Sequence, residues 1–131
     1  MIKRYSTEEM SSIWSDENKF ETWKEVELAV AQVMSERGII PKESFISIKE
    51  KANFNVDRVL EIEKTTRHDV IAFLTNMAEH IGPDSRYVHL GMTSSDLLDT
   101  SLAIQCKQAG EIILKKLNLF YDVLCKNAIK Y

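Results

Sequence analysis

Cysteine, proline and glycine are scarce in this 131-residue chain, which has two, two and four of them respectively. With so few turn formers there is little material for hairpins, and the apolar spacing is helical nearly throughout, which predicts an all-α protein. Cys106 and Cys125 fall on one expected helix. Nineteen positions at about 1.5 Å each separate them by roughly 28 Å, beyond the ~7 Å within which a disulfide joins two Cα atoms, so both read as reduced packing residues. A basic excess is also lacking. Seventeen Lys and Arg against twenty Asp and Glu leave a net charge of −3, which argues against nucleic acid as a partner. No apolar run approaches the ~20 residues that span a bilayer, and the start, Met1 to Glu9, turns acidic with no apolar h-region, unlike a secretory signal. The expectation is a cytoplasmic protein without a membrane. Against these absences stand 44% hydrophobic and 28% charged residues, the balance of an ordinary globular chain. Its length allows about two-thirds of the unfolded surface to be buried.

Local signals then divide the chain into helices. Ser6 with Glu9 makes a capping-box pattern ahead of Met10, Ile13 and Trp14, which share one face of a short helix. A second helix begins near Ser15. Phe20, Trp23, Val26, Val30, Val33 and Met34 keep its 3.6-residue spacing, and Gly38 and Pro41 stop it. A short helix follows around Phe45 and Ile48. Asn55 is placed to cap a segment carrying Val59, Leu60 and Ile62. Thr66 and Asp69 resemble another capping box, so one helix is expected to end and the next to begin there, burying Val70, Phe73, Leu74, Met77 and Ile81. Gly82-Pro83 closes that helix, residues 84–87 read as a polar connector, and residues 88–96 as a loop running into a helix start. From Leu97 onward, Leu98, Leu102, Ala109, Ile112, Ile113, Leu117, Phe120, Leu124 and Ala128 form a stripe, which predicts one helix of roughly 35 residues. The short helices before it can cover only part of about 50 Å of stripe, so further helices from more sequence or other subunits are expected against it.

Two places combine a helix start with polar side chains: Arg67-His68-Asp69 and Thr93-Ser94. Free N–H groups and the positive end of the helix dipole attract phosphate or carboxylate there, and hydroxyls and arginine add donors. Arg4-Tyr5 makes a third such cluster. In an acidic chain this pattern suggests a small polyanionic ligand. The same Thr, Ser and Asp residues are also what a helix start needs with no ligand at all, and both readings stay open on these residues alone. His68 offers an imidazole that can donate or accept a hydrogen bond at that turn. His68, His80 and His89 lack ligand-like spacing and no cysteine or carboxylate cluster joins them, so no metal is expected. There is no P-loop, dinucleotide fingerprint or nucleophile elbow.

Taken together and in order, Arg4-Tyr5, Thr66-Arg67-His68-Asp69-Val70 with Phe73, and His89-Leu90-Gly91-Met92-Thr93-Ser94-Ser95-Asp96 with Asp99-Thr100 resemble the bacterial adenylosuccinate lyases of the fumarase/aspartase superfamily. The resemblance runs over essentially the whole chain. It implies an N-terminal helical domain at residues 1–93, the first helix of a central bundle at residues 94–131, and a homotetramer for the full-length enzyme. It also implies elimination of fumarate from adenylosuccinate or from a succinylated aminoimidazole carboxamide ribotide, with no cofactor. Carried over, Arg4, Tyr5 and Arg67 look like contacts to the nucleotide phosphate. Thr93, Ser94 and His68 look like contacts to the succinyl part. His68 would also orient or polarise the substrate as the C–N bond breaks, Asp69 would hold the His68 region, and His89 would lie near the site. The family's general acid and base lie in stretches that do not occur in these 131 residues, so the chain alone is expected to be inactive. Two rival expectations are a carboxymuconate-cycloisomerase-like member of the same superfamily and a helical oligomerisation or adaptor module.

Overall fold

The computed structural model describes residues 3–131. It is 83% helical, and no strand occurs among the described residues. After a 3₁₀ turn at Lys3–Tyr5 come α1 (Glu8–Ile13), α2 (Asp16–Glu36), α3 (Lys42–Lys51), α4 (Val56–Thr66) and α5 (Asp69–Ile81). A second 3₁₀ segment (Gly82–Tyr87) then leads to α6 (Ser94–Lys130). None of these helices is long and apolar enough to cross a membrane.

Several boundaries differ from the sequence expectation by one residue or one cap. Thr7, not Ser6, caps α1: its hydroxyl accepts the Met10 N–H at 3.3 Å. Trp14 lies just past that helix and is exposed. Asn55 caps α4 as expected, accepting the Arg58 N–H at 2.9 Å. Residues 84–87 are not an open connector but part of the 3₁₀ segment. Ser44 and Ser47 hydrogen-bond the Asp84 carboxyl there and hold its pKa below the usual range.

The core is aromatic at its centre. Phe20 and Trp23 of α2 meet edge to face at 5.3 Å, and Phe73 of α5 stacks on Phe20 at 5.6 Å and abuts Trp23 at 5.4 Å. Each such pair adds about 1 kcal/mol beyond the area it buries. Val26, Ile48, Val59, Val70, Ala72, Met77, Ile81 and Leu97 complete the cluster, while Leu74 is only half-buried.

Helices α4 and α5 form an antiparallel hairpin whose open end is closed by polar groups. The buried Asn76 accepts the Asn55 N–H at 2.8 Å and donates to Glu79 at 2.9 Å. Arg58 donates to Glu79 at 2.6 Å, which holds the Glu79 carboxyl down at about 2 and raises the Arg58 guanidinium further.

Helix α6 runs antiparallel to α2: Ala29 and Val30 share a groove with Asp96 and Thr100, while Asn18 donates to Gln108 at 2.8 Å nearer the other end. Within this chain only part of the expected apolar stripe is covered: Ala109 is buried and Leu98 and Ile112 are half-buried. Leu97, Ser101, Gln105 and Ala109 point inward, whereas Leu102, Ile113, Leu117, Phe120 and Leu124 are exposed. The reason is directional bonding: Gln105 donates to the Ile13 carbonyl at 2.8 Å, a partner that only a polar side chain can satisfy. Cys106 sits on the exposed side and is therefore not a packing residue; Cys125 is half-buried, and both are free thiols. Lys116 lies on the exposed surface of α6 and reaches Glu9 at 3.3 Å.

Candidate functional site

Among the described residues, the non-glycine positions with positive φ are Arg67 (54°) and His89 (61°). A side chain in this region costs on the order of 1 kcal/mol, and such strain persists where the surroundings hold it in place. Both residues stand in the polar turns that the sequence singled out, one before α5 and one before α6.

In the first turn the Thr66–Asp69 capping box does not form. Thr66 is the last residue of α4, Arg67 is its left-handed C-cap, and the cap of α5 is His68. Its Nδ1 accepts the Ile71 N–H at a long 3.4 Å. Thr66 donates to the His68 carbonyl at 3.1 Å, and the Asp69 carboxylate accepts the Val70 N–H at 2.7 Å. Asp69 also stands 3.6 Å from His68 Nδ1, beyond hydrogen-bond reach, so Nδ1 serves as the cap acceptor and Nε2 is the edge left for a ligand. Arg67 and His68 are both exposed. No hydrogen bond or ion pair of the Arg67 guanidinium occurs among the described residues. A free arginine and a half-tethered imidazole flank the first N–H groups of α5, an arrangement suited to a phosphate or carboxylate.

In the second turn, Met92 donates to the His89 carbonyl at 3.2 Å, and Gly91 (φ 73°) lies over the far end of α2, where an added Cβ would stand 3.6 Å from Met34 Cε. Thr93 caps α6, with the Asp96 carboxylate accepting its N–H at 2.9 Å. Ser94 opens the helix and is half-buried. His89 is held from a distance. Its backbone N–H donates to Glu27 Oε2 at 2.8 Å, and its Nδ1 lies 2.6 Å from Glu27 Oε1. Sequence reasoning left Glu27 unmarked. A signal existed: Glu27 occupies the buried register of Phe20, Trp23, Ala31 and Ser35 on α2, where a lone carboxylate is out of place.

The turns before α5 and α6 are rooted in one core, because Val70 and Leu97, each in the first turn of its helix, belong to the same buried cluster. Arg4 and Tyr5 are not part of this neighbourhood. Tyr5 is 74% exposed and lines an apolar groove with Ile112, Ile113, Leu117 and Phe120, and Ile112 is about 27 Å along α6 from Ser94 at 1.5 Å per residue. Arg4 lies over the Tyr5 ring, 4.8 Å from its centroid. The chain therefore groups Arg67, His68 and Asp69 in one turn and His89, Thr93 and Ser94 in another, and keeps Arg4 and Tyr5 apart from both.

A family model described as Lyase matches residues 3–131. The chain belongs to this lyase family, of the fumarase/aspartase superfamily. Two curated relatives named adenylosuccinate lyase, from Bacillus subtilis and Staphylococcus saprophyticus, are each 48% identical to this chain, over 98% and 100% of its residues. It spans 30% of the length of each. Among solved structures, a β-carboxy-cis,cis-muconate cycloisomerase from Acinetobacter calcoaceticus superposes with a TM-score of 0.87 at 25% identity, covering 95% of this chain and 31% of its own. A fumarate lyase from Mesorhizobium gives 0.77 at 20% identity over 83% of this chain and 26% of its own, which speaks to the fold alone.

Proposed function

We propose that this chain forms part of an adenylosuccinate lyase that splits adenylosuccinate into AMP and fumarate, and the succinylated aminoimidazole carboxamide ribotide likewise, by β-elimination in purine biosynthesis in the cytoplasm. The observation that carries the reading is 48% identity to two adenylosuccinate lyases over essentially every residue. Arg67 and His68 at the start of α5 bind anionic groups of the substrate. His68 also polarises it as the C–N bond breaks, and Asp69 steadies that turn. Thr93 and Ser94 donate to the succinyl carboxylates at the start of α6. Such donors act by stabilising charge that develops at the carboxylate when the neighbouring carbon loses its proton.

Residues 1–93 form the N-terminal helical domain and residues 94–131 the first bundle helix, whose exposed apolar face enters a homotetramer. The distance between Arg4-Tyr5 and the two turns fits a site completed across subunits, with Arg4 and Tyr5 serving a neighbour's nucleotide phosphate. By itself the chain releases no fumarate, because the family's acid and base stretches are not in its 131 residues.

A carboxymuconate-type substrate is the second reading, favoured by the shared backbone of the cycloisomerase. The unpaired Arg67 argues for a phosphorylated ligand instead. The discriminating experiment uses the full-length enzyme carrying this segment, with kcat and KM on adenylosuccinate read separately for His68→Ala and Arg67→Ala. His68→Ala is expected to lose about 100-fold or more in kcat, and Arg67→Ala to raise KM about tenfold. Both variants near wild type would remove these turns from the site.

A further inference from the structure

Glu27 is the least expected side chain in the core. Only 1% of it is exposed, and it lies mid-helix on α2 between Trp23 and Ala31, both buried. An apolar residue of similar size would fill that position without desolvating a charge, so packing alone gives no reason for a carboxylate. Both of its oxygens are committed to one residue 62 positions away. Oε2 accepts the His89 backbone N–H at 2.8 Å and Oε1 meets His89 Nδ1 at 2.6 Å.

Three degrees of freedom are fixed at once. The backbone bond holds residue 89 at φ 61°, a conformation that histidine does not favour. The ring bond sets the plane of the imidazole. Because a carboxylate has only acceptors, it also places the hydrogen on Nδ1. The opposite ring nitrogen, Nε2, is thereby turned away from Glu27. The ring retains 17% exposure, and no bond of Nε2 occurs among the described residues. His89 then runs through a single turn, by way of Met92, into Thr93 and Ser94.

We infer that Glu27 is a positioning residue: its buried carboxylate locks the backbone and ring of His89 so that Nε2 is presented to the substrate bound at the start of α6. This rests on the proposed function above, in which Thr93 and Ser94 face the substrate and His89 stands in the same turn. Glu27 itself touches no substrate. The clamp supplies orientation, and misplacement of a contacting group by about 1 Å is enough to cost about 100-fold in rate.

The test is a double-mutant cycle in the full-length lyase, with kcat and KM on adenylosuccinate and a thermal melt for each variant. Glu27→Gln is expected to lower kcat/KM about 100-fold, with the loss falling on the same parameter as in His89→Gln. The double variant should be no worse than His89→Gln alone, because Glu27 acts only through His89. Glu27→Asp, which keeps the charge one methylene shorter, should recover about tenfold of the loss. Should Glu27→Gln not fold, Glu27→Asp carries the test, expected about tenfold below wild type but without further effect in the His89→Gln background. A lowered melting temperature with unchanged kcat/KM in the folded Glu27 variant would make the clamp a structural tie and overturn the inference. Losses that multiply in the double variant would do the same. A near-wild-type His89→Gln would instead overturn the reading that residue 89 faces substrate, and the positioning role with it.

Discussion

The turns before α5 and α6 solve the same backbone problem in opposite ways. Each carries a non-glycine residue at positive φ next to a helix start, and each uses the Nδ1 edge of a histidine. Before α5 every bond is local, joining Glu63, Thr66, His68, Val70 and Ile71 to neighbours within four positions, and the Arg67 and His68 side chains are exposed. Before α6 the strained residue is gripped by a buried carboxylate from another helix. In the first turn Nδ1 accepts from a backbone N–H; in the second Nδ1 donates to a buried carboxylate. One imidazole is thus held locally and stays adjustable, and the other is fixed by the tertiary structure.

The largest effect expected on stability comes from cutting the long-range grip. His89→Ala removes the ring from a carboxylate that remains buried, which should cost about 3 kcal/mol by the usual penalty for breaking a buried pair, measured by urea denaturation of this chain. A loss no larger than that of the corresponding change in the other turn would mean that the long-range grip adds nothing to the local one. That corresponding change, His68→Ala, removes a long and exposed cap bond and should cost on the order of 0.5 kcal/mol in the same assay. Smallest of all, Arg67→Gly relieves the left-handed strain while adding backbone freedom to the unfolded chain, so a net gain of about 0.5 kcal/mol or less is expected. A clear destabilisation would show that the guanidinium supports the turn, contrary to its exposed and unpaired placement.

The difference between the turns also marks how far the sequence could be read. Signals that act within one helical turn were legible: the Asn55 cap, the α4–α5 break, and the helix start at the polar Thr93-Ser94 turn. Where two nearby residues compete for a cap, local pattern was not enough. Thr7 displaced Ser6, and His68 displaced Thr66, because the backbone angles at the junction decide which side chain faces the free N–H groups. The family resemblance drew attention to His89 but not to what holds it, since Glu27 is 62 residues earlier and its neighbours on the sequence look like an ordinary amphipathic helix. The inward face of α6 was only partly legible for a related reason. Periodicity identifies an apolar stripe but not which surface will cover it, and the Ile13 carbonyl that captures Gln105 belongs to a helix end more than ninety positions away.

That last contact makes α6 a keyed shaft. A helix seated only by grease can roll through several azimuths at little cost. A helix pinned by Gln105 on the Ile13 carbonyl and Gln108 on Asn18 cannot roll by even one residue without breaking both. The bearing of everything beyond Gln108 is then set from inside the chain. The hydrophobic side chains from Ile113 to Ile129 are dealt out in a predetermined direction before anything has docked against them.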